Sequence, residues 1–229
     1  MPFDESCIVP PFYATGTAVA RLSLWAIAGW RVRGREKVPR SGPLLVVSNH
    51  LHFTDPPIVM ASLPRRVVFM AKEELFHHPL AWVVRGVGAF PVRRNQLDRT
   101  AFKRGLEALE AGLAVGIFPE GSRSLSGSLK SGLPGAAFLA AHAQVPLLPV
   151  AIQGSPQLHG TGWLRRPSIT VTIGDPFALP HGNGRVDREQ LDFLTDFIMR
   201  HIAALLPTTY QGLYKEGTGD HKEGHSSER

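Results

Sequence analysis

The stretch Leu44-Leu45-Val46-Val47-Ser48-Asn49-His50-Leu51-His52-Phe53-Thr54-Asp55-Pro56 joins an apolar run to a polar loop. The aliphatic residues at its start predict a buried strand that ends on the histidine, His50. Asp55 followed by Pro56 predicts the start of a helix, because aspartate caps free N–H groups and proline needs no donor in the first turn. Across the intervening loop the Asp55 carboxylate can fold back onto the His50 imidazole. We therefore expect a histidine that is oriented to act as a base.

Predicted strands and helices alternate along the rest of the chain. Further strands are predicted at 67–70, 88–92, 113–118, 145–152 and 169–173. Helices are predicted at 75–87, 98–112, 135–144 and 187–206. Strand 169–173 alternates in polarity and is expected at a sheet edge, and Asp187 and Gln190 are placed as a capping box. This order predicts an α/β fold with a largely parallel or mixed central sheet flanked by helices.

The composition suits one α/β domain with short appendages, since the chain has 229 residues. The domain is assigned to residues 31–210, with its motifs at about 44–155, and the polar residues 215–229 are predicted to be disordered. Lys and Arg number 25 against 19 acidic residues, so the net charge is +6. Such a surface attracts anions such as lipid headgroups, coenzyme A or nucleic acid, and charge alone does not choose among them.

Residues 1–30 are predicted to form an amphipathic, membrane-associating helix. The segment between Phe12 and Trp30 is mostly apolar but contains Arg21, whose charge is costly inside a bilayer. Trp25 and Trp30 suit a helix that lies in the membrane interface. A bilayer-spanning helix and a helix that only covers the core are the alternatives.

The expected location rests on the N-terminal sequence and on cysteine usage. Asp4 and Glu5 come first, so the start of the chain does not resemble a secretory signal. The single cysteine, Cys7, excludes an intramolecular disulfide and agrees with a reducing compartment. We expect a peripheral or monotopic protein at the cytoplasmic face of the membrane.

Polar residues follow three of the predicted strands. His50 and Asp55 follow the first, Arg93 and Arg94 follow the strand at 88–92, and Glu120 begins a polar run after the strand at 113–118. In open α/β sheets, ligands bind at the carboxyl ends of the strands. A base, a carboxylate and guanidinium groups are therefore predicted to share one site.

The same residues resemble, in four successive motifs, the PlsC-type glycerolipid acyltransferases of phospholipid synthesis. His50 through Asp55 is similar to the first motif of that family, a histidine and an aspartate separated by four residues. The stretches 88–94, 118–124 and 145–150 resemble the second, third and fourth motifs. Order and spacing agree over about residues 30–155, and four ordered motifs are a far stronger signal than any one of them.

The resemblance implies transfer of an acyl group from acyl-CoA or acyl carrier protein to the free hydroxyl of lysophosphatidic acid, which yields phosphatidic acid. It implies that His50 is the general base and that Asp55 orients it. The substrate-binding residues that it implies are Asn49, Arg94, Glu120, Gly121, Ser122 and Arg123. No metal and no cofactor beyond the thioester co-substrate is expected. The expected partners are the lysophospholipid, the acyl donor and an anionic membrane surface, without nucleic acid.

Two positions depart from the pattern of the family. Ser122 stands where threonine is commoner, and Leu133 stands where a lysine is usual, with Lys130 nearby. The chain has no Gly-x-Ser-x-Gly nucleophile motif, and Cys7 lies far from every motif. We therefore expect direct transfer in a ternary complex without a covalent acyl-enzyme.

Three alternatives stay open at this point. Glycerol-3-phosphate or another lysolipid could be the acceptor. A metal hydrolase could use His50, His52 and Asp55 as ligands. A non-catalytic membrane- or nucleotide-binding module would also account for the basic charge and the apolar N-terminal segment.

Overall fold

The computed structural model describes residues 10–77, 81–93, 98–180 and 187–215. Its strands are β1 (Gly29–Arg33), β2 (Leu44–Ser48), β3 (Val67–Lys72), β4 (Phe90–Val92), β5 (Ala114–Ile117), β6 (Leu147–Gln153) and β7 (Ser168–Ile173). Its helices are α1 (Pro10–Ile27), α2 (Asp55–Ser62), α3 (Ala81–Gly86), α4 (Arg99–Glu110), α5 (Gly135–Ala143) and α6 (Arg188–Ala203).

The strands form one mixed sheet in the order β1-β7-β6-β2-β5-β3-β4. The five strands β6, β2, β5, β3 and β4 form a parallel series. Strand β7 is antiparallel to β6 and parallel to β1. The prediction of a mixed sheet flanked by helices is confirmed. Every residue of β2 is buried, as expected for the apolar run at its start. Strands β5 and β6 flank β2 and are parallel to it, so the carboxyl ends of the three strands are aligned. The loops that follow them therefore meet at this end of the sheet.

Two predicted strands are placed differently from what their sequences indicated. Strand β7 is not at the edge, because β1 covers it. Strand β1 itself was not predicted, and it includes Trp30, which had been assigned to the N-terminal helix. In β1 the side chains of Trp30 and Val32 are half-buried while Arg31 and Arg33 are exposed, so its short alternation is a weak signal. Strand β4, which contains Pro91, lies at the opposite edge as expected.

The helix predicted at 75–87 is shorter than expected. Glu73–Phe76 forms a 3₁₀ turn and α3 begins at Ala81, while residues 78–80 lie outside the described residues. In α6, by contrast, Asp187 and Gln190 form the predicted capping box. Cys7 and residues 216–229 also lie outside the described residues.

Helix α1 packs against α2 and uses its single charge there. The Arg21 guanidinium donates from Nε to the Ala61 carbonyl at 2.8 Å and from Nη2 to the Leu63 carbonyl at 3.2 Å, at the C-terminal end of α2. A cation at this end of a helix is favourable, because it pairs with carbonyls that have no partner within the helix. No helix in the described ranges has the length and apolarity needed to cross a bilayer.

Candidate active site

The His50 imidazole and the Asp55 carboxylate are in direct contact. His50 Nδ1 lies 2.9 Å from Asp55 Oδ2, and the two side chains are 8% and 0% exposed. The other ring nitrogen of His50, Nε2, has no hydrogen-bond partner in the part of the chain that the structure describes, and it is not sealed from solvent. This arrangement favours the tautomer with the proton on Nδ1, which leaves Nε2 free to accept a proton.

The Asp55 carboxylate holds the loop and does not cap the helix that it begins. Oδ2 also accepts hydrogen bonds from the backbone N–H groups of Leu51 and His52, each at 2.6 Å. The helix begins at Asp55, but its N-cap is Thr54, which makes no side-chain cap. The predicted helix start is therefore right, while the predicted capping role is wrong: the carboxylate folds back to satisfy loop donors that would otherwise be unpaired.

Residues that follow β5 hold the backbone and the ring of His50 in place. Glu120 Oε1 accepts from the His50 N–H at 2.8 Å, and the Ser124 N–H donates to the His50 carbonyl at 2.7 Å. The Phe118 ring stacks on the imidazole with a centroid distance of 4.2 Å. The third motif therefore positions the histidine of the first motif through three contacts. Phe118 is a positioning residue to which its sequence alone assigned no role.

Asn49 joins the histidine loop to β6. Its side chain is buried, with Nδ2 donating to the Ile152 carbonyl at 2.9 Å and Oδ1 accepting from the Ile152 N–H at 2.7 Å. Because the amide pairs with both backbone groups of one residue, it resembles an extra rung of the sheet. This geometry gives Asn49 a positioning role, and the substrate contact that the resemblance implies for it stays a prediction.

Glu120 is a buried carboxylate whose two oxygens both accept backbone hydrogen bonds. Oε1 accepts from His50, and Oε2 accepts from the Lys130 N–H at 3.1 Å. Burial raises the pKa of the Glu120 carboxyl, and the two backbone donors and the Lys130 charge oppose that rise. Glu120 thus connects the His50 loop to the segment that contains Lys130, and the glycerol contact considered for it is not needed to explain its burial.

We expect the substitution Glu120→Gln to disturb the site although it preserves side-chain shape. One oxygen becomes an NH₂ donor that faces a backbone N–H, and leaving a buried donor unpaired costs about 1–3 kcal/mol. If His50 shifts by roughly 1 Å, kcat should fall by about 10²-fold. Denaturant unfolding and initial rates measure the two effects. Unchanged unfolding and unchanged kcat would show that Glu120 does not hold the loop.

Three further cationic groups were candidates for binding an anion. Arg123 is exposed, and its guanidinium makes no hydrogen bond within the described ranges. Arg93 forms an ion pair with Glu73, with Nε 2.8 Å from Oε2. Arg94 lies outside the described residues. Of the three, Arg123 has a guanidinium without a hydrogen-bond partner in the described ranges, and it directly precedes Ser124, whose N–H binds the His50 carbonyl.

Lys130 supplies an ammonium group to the loop of the third motif. Its Nζ lies 2.7 Å from Ser122 Oγ and 3.2 Å from the Arg123 carbonyl oxygen. Leu133, at the position where a lysine was expected, lies over Gly121, which has a positive φ of 67°. A side chain at position 121 would therefore be strained and would collide with Leu133. The sequence predicted only that Lys130 lies near the position where the lysine is usual. In the structure the Lys130 ammonium contacts the loop of the third motif.

The His52 imidazole contacts the Thr54 hydroxyl, whereas its backbone N–H is the group that binds Asp55. His52 Nδ1 is 2.9 Å from Thr54 Oγ1, and the ring lies 6.2 Å from that of His159. Burial lowers the pKa of His52, and the nearby Asp55 charge opposes that change. Among the described residues no group of three or more His, Cys, Asp or Glu side chains could hold a metal ion. The ligand set considered for a metal hydrolase is therefore not assembled at this loop.

Comparison with known proteins decides the family. The sequence model of the Acyltransferase family matches residues 29–153, which contain all four motifs. The chain belongs to this acyltransferase family. The acyltransferase has the fold of PlsC, the 1-acyl-sn-glycerophosphate acyltransferase of Thermotoga maritima, with a TM-score of 0.66 and 26% identity over 84% of this chain and 79% of that one.

Relatives with different acceptors resemble the acyltransferase over most of its length. The 1-acyl-sn-glycerol-3-phosphate acyltransferase of Streptococcus pneumoniae is 29% identical over 90% of this chain and 74% of its own. The lyso-ornithine lipid O-acyltransferase of Pseudomonas aeruginosa is 33% identical over 84% of this chain and 72% of its own. The chain spans about half (47%) of the length of two chloroplastic relatives.

Proposed function

We propose that this acyltransferase transfers an acyl group from a thioester donor to the free hydroxyl of 1-acyl-sn-glycerol-3-phosphate and so makes phosphatidic acid. The observation that carries the proposal is the contact of His50 with Asp55 at 2.9 Å, held by the third motif beside Arg123 and Lys130. Such a site provides a base next to cationic groups. A hydroxyl close to a phosphate is the acceptor that this combination suits.

His50 Nε2 takes the proton from the acceptor hydroxyl as the hydroxyl oxygen attacks the thioester carbonyl. The Asp55 carboxylate holds the reactive tautomer and stabilises the imidazolium that forms. The tetrahedral intermediate collapses with cleavage of the C–S bond, the donor leaves as a thiolate, and the thiolate takes the proton from the His50 imidazolium, which regenerates the base. The backbone N–H groups of Ser122 and Arg123 have no acceptor among the described residues, and we assign them to stabilise the oxyanion.

Arg123 and Lys130 are proposed to bind the phosphate of the acceptor. In 1-acyl-sn-glycerol-3-phosphate the free hydroxyl and the phosphate are on adjacent carbons, so both must lie within a few ångströms of the base. Glu120 connects the backbone of His50 to that of Lys130, which fixes the base relative to the loop that carries both cations. Arg94, which follows β4, stays a proposed further contact.

Replacing Lys130 with alanine is expected to raise the KM for 1-acyl-sn-glycerol-3-phosphate about tenfold or more, because a charge-assisted hydrogen bond contributes about 1.5–3 kcal/mol. The kcat should change less than KM. Initial rates at varied acceptor concentration measure both constants. The matched control is Lys103→Ala, which removes an exposed lysine on α4 that is paired with Glu107. An unchanged KM for Lys130→Ala would remove Lys130 from the phosphate site.

Lyso-ornithine lipid is the second candidate acceptor, favoured by the similarity to the Pseudomonas aeruginosa enzyme. Incubation of the purified protein with an acyl-CoA or an acyl carrier protein thioester and one acceptor at a time discriminates between them. The panel contains 1-acyl-sn-glycerol-3-phosphate, glycerol-3-phosphate and lyso-ornithine lipid, with the product identified by mass spectrometry. We expect the highest kcat/KM with 1-acyl-sn-glycerol-3-phosphate. A higher value with another acceptor would replace it in the proposal.

Helix α1 is proposed to contact an anionic membrane surface, which an insoluble acceptor requires. The helix buries Tyr13 and Leu24 against the core, while Val19, Leu22 and Trp25 are 57%, 64% and 70% exposed. Its exposed face is therefore apolar, with the charge of Arg21 turned towards α2. A helix of this kind suits the interface between lipid headgroups and acyl chains.

A further inference from the structure

A second element places large apolar side chains in solvent next to α1. Trp163 and Leu164 belong to the 3₁₀ turn Gly162–Arg165 and are 44% and 64% exposed. The turn packs against α1, and Arg166 Nη2 donates to the Trp25 carbonyl at 3.1 Å. We call the four exposed residues on these two elements the tryptophan surface, which consists of Leu22, Trp25, Trp163 and Leu164. Exposed apolar patches of this kind mark interaction sites.

The two segments that form the tryptophan surface are basic. Residues 6–35 and residues 121–174 contain no Asp or Glu. Arg31 on β1, Arg165 at the end of the turn and Arg166 directly after it are exposed. Apolar side chains that include tryptophan, bordered by arginines and without nearby acidic residues in sequence, complement the headgroup region of an anionic bilayer. Protein interfaces also use tryptophan and arginine, but the absence of acidic residues from both segments favours an anionic bilayer as the occupant.

The turn is also connected to the active site. It follows β6, whose carboxyl end lies at the same sheet edge as that of β2. Between β6 and the turn, the His159 ring lies 6.2 Å from that of His52. Phe53, in the loop between His50 and Asp55, is itself 65% exposed. Exposed apolar side chains are therefore present both on the histidine loop and on the turn of the tryptophan surface, which follow the carboxyl ends of β2 and β6 respectively.

We propose that the turn Gly162–Arg165 is a second membrane-docking element that acts together with α1, and that the tryptophan surface holds the opening of the active site against an anionic bilayer. This inference rests on the proposed function only in that the acceptor is a lipid. Two separated contacts fix the orientation of the protein on the membrane, whereas α1 alone would leave it free to rotate about the helix axis. The acceptor can then reach His50 without leaving the membrane.

Vesicle flotation of the full chain tests the docking surface without any acyl transfer. We use vesicles of phosphatidylcholine with and without phosphatidylglycerol, and the variant Trp163→Ala/Leu164→Ala. Its partition into anionic vesicles is expected to fall about tenfold or more, because two apolar side chains no longer enter the interface. The control Phe193→Ala/Leu213→Ala removes an aromatic and an aliphatic residue that are more exposed (61% and 66%) from other elements and should bind as wild type.

A charge variant and an activity assay complete the test. Arg31→Gln/Arg165→Gln should weaken binding to anionic vesicles and leave binding to neutral vesicles unchanged. The Trp163→Ala/Leu164→Ala variant should keep kcat/KM for a short-chain, monomeric acceptor and lose about tenfold or more for an acceptor embedded in vesicles. If both variants partition into anionic vesicles as the wild type does, the inference is wrong. It is also wrong if the control variant loses as much partition as Trp163→Ala/Leu164→Ala. Self-association of the wild type that Trp163→Ala/Leu164→Ala abolishes would likewise overturn it. Absence of activity with every acceptor would contradict the proposed function. The flotation result would then decide by itself whether the docking surface exists.

Discussion

Replacing His50 with alanine is expected to lower kcat by about 10⁴-fold, because general base catalysis contributes up to about that factor. Initial rates with an acyl-thioester donor and 1-acyl-sn-glycerol-3-phosphate measure the loss. The loop should stay in place, since Glu120 and Ser124 bind the backbone of His50 and not its ring. The KM for the acceptor should accordingly change far less than kcat.

The matched control for this variant is His142→Ala, which removes an exposed histidine on α5. Thermal unfolding of both variants checks that each is folded before rates are compared. If His50→Ala kept full activity while folded, the base in our account would be wrong.

Replacing Asp55 with asparagine is expected to lower kcat by about 10³–10⁴-fold, by analogy with the loss of an orienting aspartate in a protease triad. The contacts of the two carboxylate oxygens differ: Oδ2 accepts three hydrogen bonds, whereas Oδ1 is buried without a partner among the described residues. The asparagine oxygen can therefore take the place of Oδ2, with the NH₂ in the place of Oδ1. The bonds from Leu51 and His52 are then kept, the charge is lost, and a buried oxygen without a partner is exchanged for an NH₂ without one.

This geometry separates the charge of Asp55 from its role in the loop. Asp55→Asn should lose activity with little change in the free energy of unfolding. Asp55→Ala leaves two backbone donors unpaired, at about 1–3 kcal/mol each, and should lose stability as well. Denaturant unfolding of both variants measures the difference. A fully active Asp55→Asn variant would show that the carboxylate charge is not needed.

The elements with strong local signals could be predicted from the sequence. The apolar run of β2 and the capping box at Asp187 and Gln190 are patterns within a few residues, and the structure confirms both. Strand β1 has no such signal. It is half-buried, and it pairs with β7, whose residues lie far away in the sequence. The pairing of β1 with β7 depends on tertiary packing, which the periodicity of a sequence does not encode. The interior position of β7 follows from that pairing.

The site could be predicted as a set of residues but not as a set of contacts. The sequence brought His50 and Asp55 together because a short loop joins them. It did not indicate that Asn49 and Glu120 bind backbone groups. Nearly every residue has a backbone N–H and a carbonyl, so a sequence motif does not show which of them a side chain binds. The stacking of Phe118 on His50 was missed for a related reason, since an apolar residue at the end of a strand is usually core.

The most direct test of the account is the release of free thiol from an acyl-thioester donor by the wild-type protein, with and without 1-acyl-sn-glycerol-3-phosphate. Direct transfer predicts release that depends on the acceptor, with one phosphatidic acid formed for each thiol, and no such release by His50→Ala. Equal release without acceptor would identify a thioesterase and contradict the account, as would the absence of release with any lysolipid.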